Sequence, residues 1–270
     1  GLDEETVIRN MNDGMVRICD ETGGRVIPAA WIDPNLGQSA IREMERMAGR
    51  GVRAFGVLTA FVKDGKGRYL DHPDYHPFWE RVNRIGLPVF THFSTRFPLT
   101  DPEVPLIGYS ADLLMTGGVS VLVENTLFAT RMVFSGLLDK YPDLKIVLGQ
   151  LGGLFPFMLG RYDMLYGIYA AGAARSGIDV LSKKNLENFL RNLKDYTGGF
   201  YTDSHSMSRE AIACAIEILG KDKVMFGSDY PITPAGFGRK QALDGLEAFP
   251  ADPEIRENFY HRTAEKLLKL

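Results

Sequence analysis

The chain has 270 residues, of which 45% are hydrophobic and 24% charged, and a formal net charge of −3. So much apolar content excludes a disordered chain, and the length suits one large α/β barrel or two small domains. A nearly balanced charge offers nothing to a polyanion, so no nucleic-acid partner is expected. Cys19 and Cys214 stand apart with no CxxC pairing, which points to free thiols in a reducing compartment and so to the cytoplasm. No apolar run is long enough to span a bilayer, and the opening GLDEETVIRN is acidic and polar, so no membrane association is expected.

Short apolar runs alternate with amphipathic stretches along the chain. The first predicted strand lies within Val26–Ile32 (VIPAAWI), followed by a helix over Gln38–Gly49 and a strand within Val52–Leu58. A helix over His76–Ile85 leads to the run Leu87–Phe93, and a longer helix is expected over Val121–Lys140. The run Lys145–Leu151 precedes a helix over Leu186–Leu193, and FYTD (Phe200–Asp203) is the next strand. Ser208 is placed to cap a helix running to Leu219, and Lys223–Tyr230 is the last run. Most runs are rich in Val, Ile, Leu or Phe and bounded by Gly, Pro or Asp, the pattern of buried parallel strands. The alternation favours a parallel α/β architecture, and no linker or repeat divides the chain, so residues 1–270 are expected to form one domain.

The ends of the runs carry the chemistry. They stop at Asp33, His92, Gln150, Asp203 and Asp229. In a barrel or open α/β sheet, polar groups at the carboxyl ends of strands converge on one pocket. A single polar ending marks no more than the start of a loop; five endings of useful chemical type point to an active site.

The segments around these endings resemble the amidohydrolase-2 branch of the metal-dependent amidohydrolases, and within it the aminocarboxymuconate-semialdehyde decarboxylase group. The resemblance rests on GLPVFTH (Gly86–His92), SGLLDKYPDLKIVLGQLGGLFPFMLGRYD (Ser135–Asp163), FYTD and GKDKVMFGSDYP (Gly220–Pro231). It implies a distorted (β/α)8 barrel with one divalent metal, zinc by preference, at the strand ends. It also implies a carbon–carbon lyase releasing carbon dioxide from a small carboxylated, cyclic or unsaturated acid. His92 matches the family's metal-binding histidine and Asp229 its aspartate, which touches the metal and takes a proton from bound water. Arg161 matches an arginine that reaches a neighbouring subunit's site and holds a carboxylate; a solvated helix arginine is the alternative. His205, just after FYTD, is a candidate substrate contact or an ordinary loop histidine.

Two departures from the family pattern bear on function. Gln150 stands where the family has histidine; glutamine can orient water or contact a metal weakly, but it cannot shuttle a proton near neutral pH. The family's first-strand H-x-H pair occurs nowhere in the sequence, and Val26–Ile32 aligns with the family's third strand. Six strands are readable where a closed barrel needs eight. The chain is thus expected to lack the barrel's opening strands and, with two ligands, to keep little metal after desalting. His72 and His76 are read as loop residues leading into the helix at Phe78, His261 as surface, and Gly152 and Gly153 as a turn that lets backbones approach closely. Rival readings are a lactone- or amide-opening hydrolase, some of which work without metal, and a silent barrel that binds a ligand or partner. The apolar excess of Val121–Arg161 predicts a homodimer.

Overall fold

The computed structural model describes residues 2–94, 116–176, 196–205, 208–232 and 252–270. Its helices are α1 (Glu4–Glu21), α2 (Gln38–Gly49), α3 (His76–Ile85), α4 (Val121–Phe134), α5 (Leu137–Lys140), α6 (Phe155–Ser176), α7 (Arg209–Leu219), α8 (Pro253–Glu257) and α9 (Thr263–Leu268). Its strands are β1 (Ala29–Trp31), β2 (Ala54–Leu58), β3 (Ala60–Lys63), β4 (Lys66–Tyr69), β5 (Val89–His92), β6 (Ile146–Leu148), β7 (Phe200–Asp203) and β8 (Val224–Met225).

Six strands form one parallel sheet in the order β1-β2-β5-β6-β7-β8, each falling inside one of the six apolar runs read from the sequence. Because every pairing is parallel, all six carboxyl ends lie along the same edge. Side chains alternate between the two faces with period 2. Phe55, Val57, Val89, Ile146, Leu148 and Phe200 join the main core. The opposite face carries Val147 and Met225, which pack with Leu267 of α9, flanked by Phe90 and Tyr201. Burial on both faces explains why β6 reads as an unbroken apolar run, IVL.

A β-strand at the end of a sheet exposes unpaired amide and carbonyl groups. At β1 the chain itself covers part of this edge. Asn12 of α1, fully buried, accepts from the Trp31 N–H at 2.7 Å and donates to the Trp31 carbonyl at 3.0 Å, doing with one carboxamide what a neighbouring strand would do. The same Asn12 amide donates to Glu43 of α2 at 2.8 Å.

The sequence reading missed several elements. It gave α1 no structure and left the long helix α6 inside an apolar segment. It also overlooked the β3–β4 hairpin, although Asp64-Gly65, both with positive φ, is the two-residue turn such a hairpin prefers. Its helix over Val121–Lys140 is α4 and α5, separated where Gly136 turns left-handed with φ 74°. Ser208 does cap α7, accepting from the Ala211 N–H at 3.3 Å. The helix expected over Leu186–Leu193 lies outside the described residues.

Candidate active site

The candidate residues are brought to the strand ends by glycines and by strained backbone. β6 ends at Gly149, and Gln150 and Leu151 follow with φ of 47° and 56°. Asp229, four residues past β8, has φ 54°. Non-glycine residues rarely adopt this region, and such strain gathers where a side chain must be aimed. The glycines here have steric reasons. A Cβ at Gly153 would lie 2.0 Å from the Leu122 carbonyl oxygen, and one at Gly227 would lie 2.7 Å from the Asp203 Cβ. The glycine of GSDYP is thus the residue that lets the chain after β8 press against the end of β7.

A hydrogen-bonded run crosses three strand ends. The Asp203 Oδ1 accepts the backbone N–H of Gln150 at 3.0 Å and that of His205 at 3.0 Å. His205 Nε2 lies 3.2 Å from the Asp229 Oδ2. Burial pushes the Asp203 carboxyl above the usual carboxylate range, the two backbone donors and His205 oppose the shift, and the negative charge of Asp229 adds to it. Gln150 is held from behind by buried Asn125 of α4, whose amide donates to the Gln150 Oε1 at 2.7 Å and to the Gly149 carbonyl at 3.2 Å.

His92 ends β5 and is exposed. Its ring stacks on Phe93, centroids 4.2 Å apart, and Nδ1 lies 2.9 Å from the Phe93 carbonyl oxygen. Since that oxygen can only accept, Nδ1 carries the hydrogen, and in the neutral ring Nε2 is the lone-pair nitrogen. The backbone behind it is tied down: the Thr59 N–H donates to the His92 carbonyl at 2.8 Å. Glu124, buried in α4, accepts from Thr59 Oγ1 at 2.7 Å, from Tyr69 OH at 2.8 Å and from the Ser94 backbone N–H. Burial raises the Glu124 carboxyl above its usual value despite these donors.

Arg161 lies on α6, exposed, and makes no ion pair with the run among the described residues. Its neighbours at helical spacing are exposed Leu154, Phe157 and Met164, with Phe157 79% exposed. His72 caps the turn Pro73–Tyr75, and His261 is exposed between Glu257 and Glu265, as read from the sequence. Asn125 and Glu124 were not singled out as site residues, and Asp203 was given no role beyond a strand ending. Asp203 carried a signal, as a carboxylate ending an apolar run; the buried polar pair Glu124-Asn125 inside an apolar helix was a second.

A firm divalent-metal site needs three or four protein ligands. Among the described residues no group of three or more His, Cys, Asp or Glu side chains converges as a metal site would require. Gln150 could add only a neutral amide oxygen, one lone pair of which already accepts from Asn125. The described donors therefore do not complete a metal site. No described helix is long and apolar enough to cross a membrane.

Comparison with known proteins places this geometry in a family. The chain is 23% identical over 263 residues to the 2-amino-3-carboxymuconate-6-semialdehyde decarboxylase of Dictyostelium discoideum, covering 96% of this chain and 66% of that protein. It is 26% identical over 234 residues to a gamma-resorcylate decarboxylase of Rhizobium radiobacter, covering 83% and 65% respectively. The chain thus spans just under two thirds of the length of these relatives. The structure resembles that of a dihydroxybenzoic acid decarboxylase from Polaromonas sp. JS666 with bound manganese and 2-nitroresorcinol. The TM-score is 0.76 at 24% identity, over 98% of this chain and 76% of that one. The six-stranded parallel sheet is accordingly part of a distorted α/β barrel. The Amidohydrolase family model, Amidohydro_2, matches residues 3–270, and the protein belongs to that family.

Proposed function

We propose that the protein is a non-oxidative decarboxylase of a small aromatic or unsaturated carboxylic acid. The run Gln150–Asp203–His205–Asp229 at three neighbouring strand ends carries the reading. Losing carbon dioxide without a redox cofactor requires a proton at the carbon that bears the carboxylate, and this run can hold and orient one. The relatives' names support the substrate class. In this reading Asp229 holds the proton and His205, 3.2 Å away, steadies it. The proton bonds to the substrate carbon, the bond to the carboxylate breaks, its electron pair returns to the ring or double bond, and carbon dioxide leaves.

The bound manganese of the Polaromonas structure supports a divalent ion in the family. Here His92 and Asp229 are the side chains that would touch one, and zinc suits such a pair. With no third ligand among the described residues, the ion is expected to wash out on desalting, and the proton steps above use the chain's own side chains. Arg161 sits in the exposed stripe Leu154–Phe157–Met164, which supports a homodimer in which it reaches the partner's substrate carboxylate. A light-scattering mass of one chain at micromolar concentration contradicts the dimer. Two free thiols fit a reducing compartment such as the cytoplasm.

Having only His92 and Asp229 to touch an ion among the described residues favours a second reading, a metal-independent hydrolase of the same superfamily. Product analysis separates them. With a hydroxybenzoate the decarboxylase releases carbon dioxide and leaves a product one carbon shorter. With an aromatic lactone the hydrolase leaves a ring-opened acid of unchanged carbon count.

A further inference from the structure

We propose that Gln150 is a fixed hydrogen-bond donor that selects an anionic oxygen of the substrate, and that Asn125 is the positioning residue that fixes it. The substrate class rests on the decarboxylase reading; the donor assignment rests on geometry. A carboxamide has two orientations, and its partners decide between them. The side-chain nitrogen of Asn125 faces the Gly149 carbonyl at 3.2 Å. That carbonyl only accepts, so turning Asn125 over would set oxygen against oxygen. The same nitrogen donates to Gln150 at 2.7 Å, so the Gln150 atom facing it must be Oε1. Both Asn125 protons are then used. Its buried Oδ1 has no partner among the described residues, so the side chain is held for its donor end.

The remaining group is the Gln150 Nε2, with two N–H donors and no partner among the described residues. It sits on a half-buried residue at the strand ends, on the turn whose backbone N–H binds Asp203. Rotating it to offer oxygen would break the Asn125 contact and strand a buried donor. Gln150 is therefore set against cations and towards carboxylate or phenolate oxygen. Unlike an imidazole, which holds an anion best when protonated, a carboxamide does so without regard to pH.

The test measures calorimetric affinity for 2,6-dihydroxybenzoate and for its neutral carboxamide at pH 6 and pH 8.5, alongside carbon dioxide release. The proteins are wild type, Asn125→Asp and Gln150→Leu, with folding checked by circular dichroism. Wild type is expected to bind the acid more tightly than Gln150→Leu by the same factor at both pH values. Asn125→Asp takes the Gln150 N–H2 for itself and turns oxygen outward, weakening the acid about ten- to hundredfold and the carboxamide far less. Gln150→Leu, at a half-buried position, shows the same selective loss even if Asn125→Asp fails to fold. Equal acid affinity in wild type and Gln150→Leu overturns the proposal, as does a difference between the two that vanishes at pH 8.5, or no binding at all. Selective binding without carbon dioxide release overturns the decarboxylase reading and keeps the donor. Carbon dioxide release with affinity insensitive to Gln150→Leu does the reverse.

Discussion

At the β1 end of the sheet, buried polar groups are saturated by partners, whereas at the ends of β6 and β8 the backbone is strained and polar side chains stay partly open. Asn12 satisfies both backbone groups of Trp31, and buried Glu124 takes three donors, from Tyr69 and from Thr59 and Ser94 just past β2 and β5. Gln150, Leu151 and Asp229 all have positive φ, and His205, largely buried, faces a partly exposed Asp229. Strain is tolerated where the surrounding structure fixes it, and it costs stability that the other half of the sheet must offset. The lesson is a division of labour along one sheet: a saturated end that holds the fold and a strained end that carries the proposed chemistry.

Gly153→Ala should break this division most severely, because Gly153 joins the strained turn to α4. A Cβ there meets backbone at 2.0 Å on a residue with φ 64°, so a loss of about 3 kcal/mol or more is expected. Gly160→Ala, in α6 with nothing within 4 Å, should instead stabilise by roughly 0.5–1 kcal/mol. Urea denaturation of both variants checks the contrast, and matching midpoints would refute it. Asn12→Ala comes next, leaving the Trp31 N–H and carbonyl without their partner, for an expected loss of about 2–4 kcal/mol. Turnover per folded molecule should not change, and an activity loss without a stability loss would show that the two ends are not separate.

A smaller effect follows from Glu124. Its folded pKa is raised by burial above the ordinary 4.5, so in the window between these values the folded state holds a proton the unfolded state has released. Stability contributed at this site is therefore highest below 4.5 and falls as pH rises through the folded pKa. Glu124→Gln removes that slope: its urea midpoint should gain on wild type as pH rises through the window. A gap that is constant with pH would mean that the carboxyl is ionised at its ordinary value.

The six strands were legible because burial on both faces makes each an apolar run, and parallel pairing gives each a polar ending. Helix α1 was not, since an acidic helix with only Ile8, Asn12 and Val16 buried shows a thin apolar stripe. Helix α6 begins in FPF and is interrupted by glycine, which hid its period. His92, Gln150, His205 and Asp229 could be named from the sequence because each follows an apolar run. Their partners could not: Asn125 lies 25 residues from Gln150, and nothing local shows that one carboxamide sets the orientation of the other. The Asp203 link was half visible as a strand ending, but its two backbone donors exist only once β6 and β7 are side by side.

The most direct test of the central claim is carbon dioxide release from carboxyl-labelled 2,6-dihydroxybenzoate by wild type and Asp229→Asn, each with its urea midpoint. Asparagine keeps the shape of Asp229 and cannot hold the proton. The account predicts labelled carbon dioxide from wild type, a loss of about a hundredfold or more in the variant, and midpoints that agree. Release at equal rates from both proteins, or a variant that loses activity only because it unfolds, would contradict it.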